Sequence, residues 1–83
     1  MKFSIQILSN DLEKYLIKHG LWKKWMKVKC YLEQDITHPS LNFEKILFEG
    51  KVFYSFRLDY KYRGICILEK NVIEIFLFTN HYK

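Results

Sequence analysis

Val52-Phe53-Tyr54-Ser55-Phe56-Arg57-Leu58-Asp59, Tyr62-Arg63-Gly64-Ile65-Cys66-Ile67-Leu68-Glu69 and Val72-Ile73-Glu74-Ile75-Phe76-Leu77-Phe78-Thr79 are three runs rich in β-branched and aromatic residues. The polar pairs Tyr60-Lys61 and Lys70-Asn71 separate them. Runs of this kind with tight connections predict three antiparallel strands. The last run carries apolar groups at both parities, so it is expected to be central and covered on both faces. Just upstream, residues 41–49 read either as a short strand or as an extended loop, closed by Gly50.

Working back toward the N-terminus, Phe3, Ile5 and Ile7 alternate with Ser4, Gln6 and Leu8, the period of a short strand. Asn10 with Glu13 has capping-box spacing, and Leu12, Tyr15, Leu16 and His19 then recur at helical intervals. Gly20 is suited to close that helix in the left-handed conformation. A second helix is predicted over residues 21–34, with Trp22, Trp25, Val28 and Leu32 inward. Its lysines Lys23, Lys24, Lys27 and, at the margin, Lys29 point away from that stripe. His38-Pro39 ends the pattern, because the residue before proline disfavours helix. The order is strand, two helices, then three or four strands. That predicts one α+β domain spanning residues 1–83: a two-layer sandwich with a helical hairpin over an antiparallel sheet.

Composition narrows the class. The chain has 83 residues, 49% hydrophobic and 18% aromatic, with one proline and three glycines, which predicts a packed globule rather than disorder. The apolar run near residues 72–78 is interrupted by Glu74 and is far short of the ~20 residues a membrane-spanning helix needs. Met1-Lys2-Phe3-Ser4-Ile5 lacks the features of a signal peptide, and Cys30 and Cys66 sit alone in apolar patterns. Two buried thiols in a reducing cytoplasm are expected rather than a disulfide. The formal charge is +5, and residues 2–29 carry all of the excess: seven lysines against Asp11 and Glu13. A positive half of this kind suits a polyanion or an acidic protein partner, or serves only as a soluble helix surface.

Both arginines, Arg57 and Arg63, fall in the strand hairpin, while the other twelve basic residues are lysine. Strand parity puts Arg57 on the face of Phe53 and Ser55, opposite Tyr54, Phe56 and Leu58. Arg63 follows across a short turn, so two fork-shaped donors are expected to converge on one anion. The bland alternative is a pair of surface ion pairs, Arg57–Asp59 and Arg63–Glu69, each worth about 0–1 kcal/mol. His81 and Tyr82 follow the last strand, and a histidine there is suited to exchanging protons near neutral pH. His19 is expected on a helix edge and His38 in a turn. The three histidines lack metal-ligand spacing. No catalytic serine motif, phosphate-binding loop or dinucleotide fingerprint is present.

The segments Phe53-Tyr54-Ser55-Phe56-Arg57-Leu58, Tyr62-Arg63-Gly64-Ile65 and Asn80-His81-Tyr82 resemble the RelE/ParE toxin superfamily of type II toxin–antitoxin modules, with the YoeB branch the nearer likeness. His38-Pro39-Ser40-Leu41 is similar to a segment before the sheet in other members. The resemblance implies the RelE-like fold and a cytoplasmic, metal- and cofactor-independent endoribonuclease that cuts mRNA in the ribosomal A site. By position it implies Arg63 as the arginine at the charged phosphate, Arg57 as the strand arginine before it, His81 as general acid and Tyr82 as the neighbouring aromatic. Glu44 falls where the YoeB type places its carboxylate base, with Glu49 and Lys45 as alternatives for that place. Lys23, Lys24, Lys27, Lys29, Lys45 and Lys51 become candidate RNA contacts. Implied partners are a cognate antitoxin and the ribosome with its mRNA, with no membrane; the apolar, aromatic surface could seat a homodimer, an antitoxin helix, or both. The alternative within the superfamily is a ParE-like, non-enzymatic inhibitor of a protein such as DNA gyrase.

Overall fold

Five strands form one sheet in the order β1-β5-β4-β3-β2, and two helices cover one of its faces. The structure, a computed structural model, describes residues 2–80. The elements are β1 (Ser4–Ile7), α1 (Asn10–Lys18), α2 (Trp22–Gln34), a single 3-10 turn (Pro39–Leu41), β2 (Glu44–Phe48), β3 (Lys51–Arg57), β4 (Arg63–Glu69) and β5 (Val72–Thr79). The α+β order expected from the sequence is thus observed. The ambiguous segment resolves into the 3-10 turn and the edge strand β2. β1 runs parallel to β5, and the other pairings are antiparallel.

The central strand is β4, not β5, and β5 is not covered on both faces. Its mixed parity has another cause. Ile65 pairs with Leu77 but Cys66 pairs with Ile75, so β5 carries one extra residue, Phe76. This bulge resets the alternation. Ile73, Ile75 and Phe78 all reach the helix side and are buried, while Leu77 is exposed on the open side.

The core lies between the layers. Leu12, Leu16, Leu21, Trp25, Val28 and Leu32 from the helices meet Phe56, Cys66, Ile73, Ile75 and Phe78 from the sheet. Each fully buried Leu, Ile or Phe contributes about 1.5–3 kcal/mol relative to exposure. Trp22 departs from expectation: it is 39% exposed and lines a groove with Ile5, Ile7 and Met26 beside β1, the edge of the sheet. Leu21 is buried in the stripe instead, and its backbone N–H donates to Leu16 O to hold the two helices at their joint.

Helix α1 starts one residue earlier than the capping-box spacing suggested. Ser9 is extended and its Oγ accepts from Asp11 N at 3.1 Å, while Asn10 is already helical. Glu13 is therefore too far along to complete a box. Gly20 takes φ +67° and closes α1 as expected. Cys66 is buried, but Cys30 is exposed on α2, so only one of the two thiols belongs to the core.

Candidate functional site

Arg63 opens β4, directly opposite Arg57 on β3 and Thr79 on β5. Glu44 on β2 is the register partner of Ser55 on β3. These pairings put Glu44, Ser55 and Arg63 on the side away from the helices; Arg57 shares their parity but is the last residue of β3, where it borders α2. Arg63 is 91% buried, and several groups hold it there. Its Nε donates to Ser55 Oγ at 3.3 Å, and its Nη2 donates to Ser55 Oγ at 2.8 Å, to the carbonyl of Asn42 at 2.8 Å and to Glu44 Oε1 at 3.4 Å.

The chain builds this cradle locally. Asn42 takes the left-handed conformation at φ 43°, a geometry asparagine tolerates, just after the 3-10 turn. That bend aims its carbonyl at the guanidinium. Ser55 is fully buried within β3, so its hydroxyl is fixed under Arg63. The turn itself is capped by His38, whose Nδ1 accepts from Ser40 N at 3.1 Å, which places the ring proton of the neutral form on Nε2. The His38 ring stacks on Tyr31 with centroids 3.9 Å apart. His38 thus sits in a turn as expected. His19 lies at the end of α1 against Tyr15, with Nδ1 3.4 Å from Tyr62 Oη.

The Glu44–Arg63 pair is long and one-sided, and the Glu44 side chain is 46% exposed. A pair with one partner so open to solvent is worth about 0–1 kcal/mol. Its interest is chemical: a carboxylate beside a rigidly held cation can take a proton while the cation faces an anion.

Arg57 is exposed and stands beside a recess rather than in the cradle. It lines a cavity of about 250 Å³ with Lys24, Lys27, Val28, Tyr31, Ser40, Leu58 and Asp59. The simple ion pairs considered from sequence are replaced by others. The Asp59 carboxylate accepts from Lys24 Nζ at 2.8 Å, and Arg63 pairs with Glu44. Burial would raise the Asp59 pKa, but the Lys24 ammonium and the backbone N–H groups of Lys61 and Tyr62 outweigh it and hold the carboxyl below its usual range.

Of the lysines, Lys23, Lys24 and Lys27 are exposed on α2, and Lys29 is half-buried beside the Trp22 groove. Lys45 and Lys51 are exposed on the edge hairpin β2–β3. His81 and Tyr82 lie outside the described residues. Among the described residues, no three His, Cys, Asp or Glu side chains come together as metal ligands. Ser55 and Asn42 were not recognised as site residues from sequence. Ser55 left a signal, as a small polar residue inside an apolar strand run on Arg57's parity. Asn42 left none, because only the backbone carbonyl acts.

No family model and no curated protein matches the chain by sequence. Solved structures do match by shape. The archaeal RelE–RelB complex from Pyrococcus horikoshii OT3 superimposes with a TM-score of 0.77 at 19% identity, covering 100% of this chain and 99% of that one. The YoeB dimer from Staphylococcus aureus gives 0.74 at 18% identity, over 99% of this chain and 100% of that one. YafQ from E. coli strain BL21(DE3) gives 0.63 at 9% identity, over 96% and 94%. At such identities the likeness is one of architecture, and it covers the molecule end to end: the chain has the RelE/YoeB fold.

Proposed function

We propose that this protein is the toxin of a type II toxin–antitoxin pair, a ribosome-dependent endoribonuclease that cleaves mRNA by acid–base chemistry without a metal. The observation that carries the reading is the juxtaposition of Glu44 with a buried, multiply held Arg63 on the open sheet face of a RelE/YoeB fold. In the proposed reaction Glu44 accepts the proton of a ribose 2′-hydroxyl. The 2′-oxygen attacks the adjacent phosphorus, and the bond from phosphorus to the 5′-oxygen breaks. The products are a 2′,3′-cyclic phosphate and a 5′-hydroxyl, the latter protonated by His81. Arg63 balances the charge that builds on the phosphoryl oxygens, Arg57 offers a second cation outside the cradle, and Tyr82 is available for stacking on a base.

Partners follow from the same reading. The RelE and YoeB structures that this chain resembles include complexes with RelB and YefM, and one YoeB is a dimer. For this chain we take a cognate antitoxin, the ribosome and mRNA as partners, in the cytoplasm, with a homodimer as a further assembly. The resemblance to RelE, YoeB and YafQ supports the nuclease reading over a ParE-like gyrase inhibitor.

Primer extension on translated mRNA tests the proposal. Wild-type protein should produce cuts at translated codons. Glu44→Gln and His81→Gln should each lower the cleavage rate by about 10²–10⁴-fold, the usual contribution of a positioned acid or base. Undiminished cleavage in both variants, or inhibition of DNA supercoiling with no cleavage by the wild type, would refute it.

A further inference from the structure

The recess between α2 and the end of β3 has the chemistry of a second anion site. Three cations line it, Lys24, Lys27 and Arg57, against one carboxylate, Asp59. That carboxylate is already committed: Oδ2 accepts from Lys24 Nζ at 2.8 Å, and Oδ1 accepts from Lys61 N and Tyr62 N at 2.8 Å each. Asp59 is turned inward with a side chain 12% exposed, whereas Lys24 remains 51% exposed. Its effect is to hold the Lys24 ammonium at the mouth of the recess rather than to cancel it. Ser40 adds a hydroxyl from the 3-10 turn, which the stack of His38 on Tyr31 braces from behind. Val28, Leu58 and the Tyr31 ring give the recess apolar walls.

We infer that this recess binds a backbone phosphate of the RNA strand whose neighbouring linkage faces Arg63, so that Arg57 serves a flanking phosphate rather than the scissile one. The identity of the strand rests on the proposed function. Position favours RNA over an acidic peptide. Arg57 is opposite Arg63 in the β3–β4 register, and Ser40 of the recess is two residues from Asn42, whose carbonyl accepts from Arg63, so recess and cradle meet around the same end of the sheet. A chain with a phosphate at every residue meets both places at once. A guanidinium fork, two ammonium groups and a hydroxyl around an apolar wall also suit a tetrahedral phosphate next to a sugar.

The test is fluorescence anisotropy with a labelled, uncleavable 2′-O-methyl RNA decamer over a range of salt. Wild type is compared with Lys27→Ala/Arg57→Ala and with Lys14→Ala/Lys18→Ala, which removes the same charge from exposed sites on α1. The recess variant should bind about tenfold more weakly at low salt, and the slope of log Kd against log salt should fall by about 0.7, the value for one phosphate contact on a single strand. The α1 variant should keep the wild-type slope. Equal losses in both variants mean diffuse attraction and overturn the inference. So does a glutamate decapeptide that binds the wild type more tightly than the RNA and loses that binding in the recess variant. Cleavage of translated mRNA, scored on the wild type, separates the two claims. A protein that cleaves but binds RNA independently of the recess refutes only the inference. One that binds through the recess but never cleaves refutes only the nuclease reading.

Discussion

Arg63 shows how much of the site depends on one small hydroxyl. Ser55 is fully buried, and its Oγ accepts from both Nε and Nη2 of the guanidinium. Ser55→Ala removes that acceptor without opening a large cavity. It takes a doubly used acceptor from a buried guanidinium, at a cost of about 1–3 kcal/mol. Urea denaturation should show that loss, and primer extension should show weaker cleavage because Arg63 is no longer fixed. Wild-type stability with wild-type cleavage would mean that the other partners of Arg63 hold it in place without Ser55. The two thiols differ in the same local way. Burial pushes the Cys66 thiol up to about 12, so it stays protonated and unreactive near neutral pH, while Cys30 is exposed. Iodoacetamide at pH 8 should therefore modify one thiol per folded chain, mapped to Cys30, and the second only after unfolding. Rapid native labelling at Cys66 would contradict the buried placement.

At the scale of elements, the β3–β4 hairpin depends on a close contact between a glycine and an aromatic ring. Gly64 is the register partner of Phe56, and a Cβ built on Gly64 would lie 2.2 Å from Phe56 Cζ. That ring is fully buried and touches Trp25 and Phe78, so it has little room to move. Gly64→Ala should destabilise the fold by about 1–3 kcal/mol or more, as overpacked cores do, and a thermal melt would record it. An unchanged melting temperature would show that the helix layer can slide to make room. Element types were legible in the sequence because period and punctuation are local: alternation in β3 and β4, the Leu12–Leu16 stripe, Gly20 and Gly50 in turns with positive φ. What was missed depends on pairing. The extra residue Phe76 exists only relative to β4, so its run imitated a strand buried on both faces. Trp22 matched the helical stripe, but its exposure is decided by where the sheet ends. Arg63, Glu44 and Arg57 were visible as candidates from sequence, whereas the split between cradle and recess required the third dimension.

For the molecule as a whole, acid should loosen the attachment of the helix layer to the sheet at one identifiable point. Asp59 closes the turn between β3 and β4 through two backbone N–H groups and reaches across to Lys24 on α2. Its pKa is held below the ordinary value because those donors outweigh burial. A carboxyl depressed in the folded state contributes stability that is present above its unfolded pKa of about 3.9 and is lost as pH falls through the folded value. Melting temperature should therefore be level near neutral pH and decline below about pH 4. Asp59→Asn keeps the shape but removes the charge. It should melt lower than wild type at pH 7, and the gap should narrow steadily as the wild-type carboxyl becomes protonated in acid. Lys24→Ala should lose part of the same difference, since it removes one of the three donors but leaves the turn closed. A gap between wild type and Asp59→Asn that stays constant from pH 7 to pH 3 would mean that the charge of Asp59 does not join the layers, and that shape alone does.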